Sequence, residues 1–554
     1  MIATTFAVLG VSLSFGFSEA PRPIDYQPRL APVVSPVLQI RLVERPEELL
    51  RVWVFFTDKN VRNETDRQER LAQRAVELPA RTQHRRQLRR TAAGLVDARD
   101  LAPVRSYVDA VRATGAKIRH ESRWLNGVSA DATPGQIAQL ERLSFVRRIQ
   151  PVARAARRRP MPETPVSETA PRGDPSWYNN SYNQLAQINV VGAHDAGYTG
   201  AGVVVGILDT GFNRTHTAFN QSTGGAHPVQ IIAEYDFVDS DGNTAQEGGD
   251  PGGQSDHGTY ILGVLGAFHP NVLVGAAYDA EFLLAKTEDI SQEVPAEEDN
   301  YVAGLEWLEL NGADMATSSL GYIDWYTQAD LDGQTAVTTV AVNIATANGM
   351  VCCTAAGNEG HDADQGTSHL IAPSDAYEVI TCGAVDSAGT SAWFTSDGPS
   401  ADGRVKPEVV ARGVSTMTVT SSNNTSIVGV NGTSLSTPLV AGGVALILQA
   451  HPDWTADKVR RALFHTSDIF LATFYFDFEY VQGYGIIDVD AAIQFIHSDI
   501  DGDGLADGND VQHFVDSLMG INQDLDELRR SDINADGLPD AADVPIFVND
   551  LLGL

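Results

Sequence analysis

Four short segments hold residue types that could do chemistry together. In "VNGTSLSTPLVAGGVALILQA" (430–450) small polar residues run into an apolar stretch, and Ser434 falls where a glycine-bearing loop becomes a helix. Ser, Thr and Asn are ordinary helix N-caps. A hydroxyl in that place also sits where the helix dipole and free N–H groups favour developing negative charge. "GVVVGILDTG" ends an apolar, strand-like run at Asp209, just before a Thr-Gly turn, and "SDHGTYILGVLG" places His257 ahead of Gly258 and an apolar helical run. "AAGNEG" puts Asn358 in a turn after another apolar strand. A carboxylate, an imidazole and a hydroxyl in hydrogen-bonding contact turn the hydroxyl into a nucleophile. A nearby side-chain amide supplies a donor for the oxyanion that forms. Taken singly, each of the four residues also fits a cap or a turn.

These residues can meet only if a fold gathers them. From Trp177 onward, strand-like apolar runs ("GVVVGILDTG", "EFLLAKTE", "GADMATSSLGY", "GMVCCTAAGN", "VITCGAV") alternate with helical stretches. That pattern predicts an α/β domain with a mostly parallel sheet flanked by helices. Sites in such sheets collect at the carboxyl ends of strands. Residues 38–150 read as a smaller α+β unit: a strand at Leu50–Phe56, a helix in "APVRSYVDAVRATG", paired strands in "KIRHESRWLNGVSADA", a helix opened by Thr133 and Pro134, and a closing strand in "SFVRRIQPV". The order β-α-β-β-α-β predicts a ferredoxin-like fold. The arginine-rich insert "RTQHRRQLRR" within this unit reads as a solvated helix or loop. Residues 151–175, rich in Pro, Arg and small polar residues, have linker composition and would be open to proteolysis.

The chain of 554 residues is long enough for several cores. Its net charge of −33 hides a division. Residues 1–175 carry 29 basic and 19 acidic side chains, a balance of +10, whereas residues 176–554 carry 10 and 53, a balance of −43. A basic N-terminal third suits nucleic acid, or a piece that sits on the acidic remainder, since opposite fields steer association. An RNA-binding ferredoxin-like domain would need an aromatic RNP-type strand with glycines, and "VWVFF" is too apolar and has none. Cys352, Cys353 and Cys382 lie in strand-like runs and read as buried small hydrophobes, with a bridge to Cys382 open if the strands are neighbours. Residues 1–20, "MIATTFAVLGVSLSFGFSEA", resemble a secretory signal, and no later segment reads as long and apolar enough to span a bilayer. The protein is therefore expected to be secreted or attached to the cell surface.

Jointly, the chemistry-bearing segments closely resemble the subtilisin-like serine peptidase family. The order Asp209, His257, Ser434 is the Asp-His-Ser order found in subtilisins. "DTG", "HGT" and "GTSLSTPLVAG" match the flanks of the three residues, and "AAGN" matches the oxyanion-asparagine segment. "SSLG" (318–321) matches an edge of the substrate cleft, which implies Ser319, Leu320 and Gly321 as substrate-binding residues. The resemblance implies a serine endopeptidase acting on peptides or proteins, with Ser434 as nucleophile, His257 as general base, Asp209 orienting the imidazole and Asn358 donating to the oxyanion. It also implies that residues 38–150 are an inhibitory propeptide removed by cleavage within about 150–176, leaving a peptidase domain at 176–497. Where the family commonly reads "HGTHVAG", this chain has Tyr260 and Ile261, which bears on packing near the cleft. The acidic surface left after processing is expected to favour cationic peptides.

The tail repeats itself. "DIDGDGLADGND" places Asp499, Asp501, Asp503, Leu505 (through its carbonyl), Asp507 and Asp510 at loop positions 1, 3, 5, 7, 9 and 12, with Gly504 at position 6. "DINADGLPDAAD" repeats this with Asp532, Asn534, Asp536, Leu538, Asp540 and Asp543. Oxygen clusters of this kind suit calcium, one ion in each loop, and the segment 498–554 resembles a dockerin-type calcium module. Such a module implies a cohesin-like or envelope partner, or a compact end-piece. The rival to the hydrolase reading is a catalytically silent binding protein on a peptidase scaffold, attached through its calcium tail. Neither reading involves nucleic acid or a membrane span in the mature form.

Overall fold

A computed structural model describes residues 22–153, 161–163 (as backbone), 174–219, 227–291, 298–362, 364 and 366–553. The expected signal at 1–20 lies outside these residues, as do 154–160 and 164–173 of the expected linker.

Seven parallel strands form the central sheet, in the spatial order Val409–Arg412, Ile380–Val385, Val351–Ala355, Met315–Ser318, Val204–Asp209, Glu281–Lys286, Gln230–Asp236. The first of these in the chain, Val204–Asp209, is buried at every position. It reads as a continuous apolar run because both faces of the sheet are covered. Its residues alternate between the two cores: Val205 and Ile207 join the cluster under the helices Asp256–Gly266 and Thr433–Ala450, while Val204 and Leu208 join that under Glu298–Leu310 and Val337–Ala347. The strand order reverses direction between Val204–Asp209 and Met315–Ser318, and that switch point is where such sheets form clefts. The expected parallel α/β architecture is the one observed.

The helix Thr433–Ala450 corrects one expectation. By length and composition it could cross a membrane, yet it is almost wholly buried against the sheet. The three cysteines are free and buried. Cys353 pairs in register with Ile380 on the neighbouring strand, so the strands are adjacent without a bridge. Burial pushes the Cys352 thiol up to about 12, which suits an inert core residue.

The N-terminal unit has the expected elements: an antiparallel sheet ordered Lys117–Ser122, Gly127–Ala132, Leu50–Phe56, Val146–Pro151, with helices Arg105–Ala113 and Pro134–Glu141 on one side. Thr133 and Gln136 close a capping box at the second helix. Val52, Val54, Val108, Ile137 and Leu140 fill its core. Its other face lies on the helix Glu298–Leu310 of the larger unit: Trp53 Nε1 donates to Glu298 Oε1 at 2.8 Å, Arg119 pairs with Asp299 at 2.8 Å, and Ser122 Oγ donates to Glu306 Oε1 at 2.5 Å.

The arginine-rich insert departs from expectation. It forms the helix Ala80–Arg89, and Arg85, Arg86 and Arg89 are buried rather than solvated. Arg85 and Arg86 share Glu309, Arg86 also pairs with Asp100 at 2.7 Å, and Arg89 pairs with Asp314 at 2.5 Å. A hydrophobicity pattern cannot register such burial, because two of the matching carboxylates, Glu309 and Asp314, lie more than 200 residues away in the chain.

Candidate active site

Asp209 ends the central strand and is fully buried. Its Oδ1 and Oδ2 accept from His257 Nδ1 at 2.7 and 3.0 Å, and Oδ1 also accepts from the Thr210 N–H at 2.7 Å. The carboxylate thus sets the imidazole's orientation and the tautomer with the proton on Nδ1. His257 is the second residue of the helix Asp256–Gly266, and the side chain keeps 16% exposure. The following glycine is what allows that helix so close to the strand end. A Cβ on Gly258 would lie 2.3 Å from the Gly211 carbonyl oxygen and 3.1 Å from Asp209 Cβ. The Gly258 N–H donates to Thr210 Oγ1 at 3.3 Å.

Ser434 is the second residue of the helix Thr433–Ala450, entered through Gly432 at φ 152°, a conformation that side chains rarely adopt. Ser434 Oγ donates to the Ser319 carbonyl at 3.4 Å, and Ser319 Oγ donates to the Ser434 carbonyl at 2.9 Å. Ser318 pairs in register with Leu208, so Ser319 and Asp209 leave adjacent strands side by side. Among the described residues Ser434 Oγ is hydrogen-bonded to Ser319 and not to His257. Catalytic hydrogen bonds are often long without substrate and tighten in the complex.

Asn358 follows the next strand. Its Oδ1 accepts from Thr433 N at 2.9 Å and from Thr433 Oγ1 at 3.0 Å. With the oxygen arm fixed by two donors, the Nδ2 arm is set on the other side of the amide. Ser319, Leu320 and Gly321 form the buried edge after Met315–Ser318. Tyr260 packs against the main core and its carbonyl accepts from Thr418 Oγ1 at 2.6 Å, so the departure at this position serves packing.

Several supporting residues escaped the sequence reading. Gln254 Nε2 donates to the carbonyls of Thr210 and Glu288, both at 2.6 Å, strapping the loop before His257 to two strand ends. Lys286, opposite Asp209 in register and fully buried, ties that loop down through Asp236 at 2.8 Å and Asp250 at 3.1 Å. Thr433 and Thr210 lie inside the recognised motifs, which offered a signal for them. Gln254 and Lys286 offered none.

The acidic loops of the tail are built alike. Asp510 Oδ1 accepts from Asp501 N and its Oδ2 from Asp507 N, at 3.1 and 2.7 Å. Thirty-three residues on, Asp543 does the same for Asn534 N and Asp540 N, at 2.9 and 2.8 Å. Asp499, Asp501 and Asp503 present carboxylate oxygens within 4.8 Å of one another. Asp532 is buried, and that burial, with Asp543 and Asp536 nearby, pushes its carboxyl up to about 7 despite a hydrogen bond from Gly537. Leu505 and Leu538 leave their side chains exposed at matching positions, and each N–H donates to the preceding loop carboxylate, Asp503 or Asp536. Ile500, Phe514, Ile533 and Phe547 form the core of the module, the two rings stacked at 4.1 Å.

The fold gathers Asp209, His257, Ser319, Asn358 and Ser434 at the switch point of a parallel α/β sheet. The subtilase family model matches residues 200–485, and the model described as the peptidase S8 propeptide domain of Bacteroidota matches 51–165. The chain is 33% identical over 311 residues to a subtilisin of Bacillus pumilus, covering 56% of this chain and 98% of that one. Subtilisin E of Bacillus subtilis is likewise 33% identical, with 56% of this chain and 70% of the relative covered. Among solved structures, fervidolysin from Fervidobacterium pennivorans, described as a keratinolytic enzyme related to subtilisin, superposes with a TM-score of 0.56. That match has 19% identity and covers 81% of this chain and 61% of fervidolysin, which speaks to the fold alone. The chain belongs to the subtilase family and is a serine endopeptidase carrying an N-terminal propeptide.

Proposed function

We propose that the protein is a secreted endopeptidase in which Ser434 attacks the scissile carbonyl, His257 takes its proton and returns it to the leaving amine, and Asp209 holds the imidazole and steadies the imidazolium. Asn358 Nδ2 and the Ser434 N–H would receive the oxyanion. The observation that carries this reading is the two-point hydrogen bond of His257 to buried Asp209, one strand away from a serine seated at a helix entrance. Removing the Asn358 donor should cost roughly 10²–10³ in rate, the size found for one such donor in a subtilisin.

Ser319, Leu320 and Gly321 would line the cleft, and Ile371 would limit it. A Cβ on Gly321 would lie 2.1 Å from Ile371 Cδ1, and one on Gly357 would lie 3.3 Å from Ile371 Cγ1. Ile371 thus fills the space between the edge carrying Ser319 and the edge carrying Asn358. A small side chain fits best before the scissile bond, and Ile371→Gly should admit larger ones. Cationic residues on either side would suit the acidic peptidase surface.

The domain boundaries we propose are a signal at 1–20, the propeptide at 38–150, a cleaved linker at 151–175, the peptidase at 176–497 and a dockerin-like module at 498–554. Asp499, Asp501, Asp503, Asp507, Asp510 and the Leu505 carbonyl would hold one calcium ion. Asp532, Asn534, Asp536, Asp540, Asp543 and the Leu538 carbonyl would hold a second. The carboxylate oxygens gathered by Asp499, Asp501 and Asp503 would suit a divalent cation. The ion supplies countercharge and closes the loops, and the module would attach the enzyme to a cohesin-like or envelope partner.

The test is expression of the whole chain in a protease-free host. Wild type should release a fragment of about 150 residues, by the position of the linker, and a casein digest should show cuts after small residues. Ser434→Ala should stay intact. Equal processing of both chains would assign the cut to another enzyme.

A further inference from the structure

The helix Ala80–Arg89 docks at the end of the sheet opposite Ser434. The same three strands define both ends. Asp209, Ser319 and Asn358 follow the strands Val204–Asp209, Met315–Ser318 and Val351–Ala355, whereas the helix touches the residues that precede them. Arg81 donates to the Gly202 carbonyl at 2.9 Å and the Gly312 carbonyl at 3.1 Å, and pairs with Asp314 at 2.8 Å. Arg85 donates to the Ala313 carbonyl at 2.7 Å and pairs with Glu309. Arg89 donates to the Gly349 carbonyl at 3.1 Å and the Pro452 carbonyl at 3.3 Å, besides its pair with Asp314.

Arg81, Arg85 and Arg89 stand at i, i+4 and i+8, one stripe of the helix. Each guanidinium uses its planar fork to reach a carboxylate and a carbonyl together, which an ammonium on a single stem cannot copy. Arg81 is partly exposed, but the pairs of Arg85 and Arg89 are buried, so salt screens them poorly and removing one partner strands the other. Four to six residues of strand separate this edge from the cleft, about 13–20 Å at the usual rise.

We infer that the N-terminal edge of the sheet is an arginine-reading exosite, with Glu309 and Asp314 at its centre, and that its occupant is the propeptide's own helix Ala80–Arg89. The propeptide leaves only when the edge remote from the cleft is also given up. The inference rests on the propeptide reading of the N-terminal unit and is independent of whether Ser434 is the nucleophile.

The test uses the full chain with Ser434→Ala and a site for a sequence-specific protease placed within 164–173. After the cut is made, dissociation of the two fragments is followed by size exclusion on dilution. The parent should remain one species for hours, at low and at high salt. Arg85→Ala/Arg89→Ala should separate at least 100-fold faster, while Arg41→Ala, whose pair with Asp324 lies nearer the surface, should change the rate less than threefold. A double variant that separates within threefold of the parent overturns the proposal. If the double variant does not accumulate folded, the near-isosteric Asp314→Asn carries the test, with at least tenfold faster separation expected and an unchanged rate contradicting it. A chain that docks as described yet fails to hydrolyse any peptide as wild type would defeat the catalytic reading and leave the exosite standing.

Discussion

Buried carboxylates occur in two regions of this molecule, and they are handled in opposite ways. At the propeptide seam, Glu309 and Asp314 meet arginines. Burial opposes their ionisation, but Arg85 and Arg86 at the first, and Arg89, the Val204 N–H and Arg81 at the second, outweigh it and hold both carboxyls below their usual range. In the tail, burial, with Asp543 and Asp536 nearby, raises the Asp532 carboxyl to about 7, and among the described residues no arginine or lysine pairs with it. The chain brings its own countercharge to the first region, whereas in the second the proposed calcium ion would have to supply it. Most of its basic residues lie in the part that resembles a removable propeptide. The propeptide is thus matched in charge to the surface it covers, and the calcium proposal makes the tail's charge balance a matter of what it binds.

The largest test of this contrast is metal removal. A chelator should leave the seam intact and unfold only the segment after about residue 498, seen as selective proteolysis of the tail and a loss of its helical signal. Unfolding of the whole chain, or of neither part, would break the comparison. Next in size, Glu309→Leu should lower the stability of the docked chain by about 3–5 kcal/mol in denaturant titration, because it strands the buried guanidinium of Arg85 and leaves Arg86 with Asp100 alone.

A subtler effect separates the regions by sign. Asp532→Asn removes a buried charge, so it should steady the tail by roughly 1–2 kcal/mol in chelator and weaken it by a similar amount in calcium. Calorimetry under both conditions reads this directly, and the same sign in both would mean that no cation is held there.

The seam also has a pH dependence of its own. Glu298 is buried between Trp53 and Tyr326, and burial raises its carboxyl to about 8 despite both hydrogen bonds. A raised carboxyl favours docking fully below its ordinary value, near 4.5, and that contribution is lost as pH rises through about 8. Separation of the cut fragments should therefore quicken as pH rises from about 4.5 to about 8, and Glu298→Gln should reduce the rise, the rest coming from Glu306, which burial also raises. Glu309 and Asp314, with lowered values, add stability that is lost only in acid.

How much of this was legible in the sequence follows from what each feature depends on. The parallel sheet and the ferredoxin-like unit were readable because period-2 and period-3.6 patterns report burial against apolar neighbours. The motifs around Asp209, His257, Ser434 and Asn358 were recognisable by their resemblance to a family, and the structure gives their flanking residues a backbone reason: Gly258 for helix approach, Gly432 for its conformation, Thr433 for anchoring Asn358. The twin tail loops were readable as a repeat, down to matching hydrogen bonds 33 residues apart. The buried arginines were not readable, since a guanidinium is buried only when distant carboxylates and carbonyls are assembled around it. The same holds for Lys286 and Gln254, whose partners come from three separate strand ends, and for Ile371, whose effect lies in the glycines that face it.

The central claim is that one carboxylate, one imidazole and one hydroxyl act as a unit at the switch point of the sheet. A fluorophosphonate probe, followed by peptide mapping of the processed protein, addresses it most directly. The account expects a single adduct on Ser434 that disappears in Ser434→Ala and falls by several orders of magnitude in His257→Ala. An adduct elsewhere, or no adduct on correctly folded and processed protein, would contradict it.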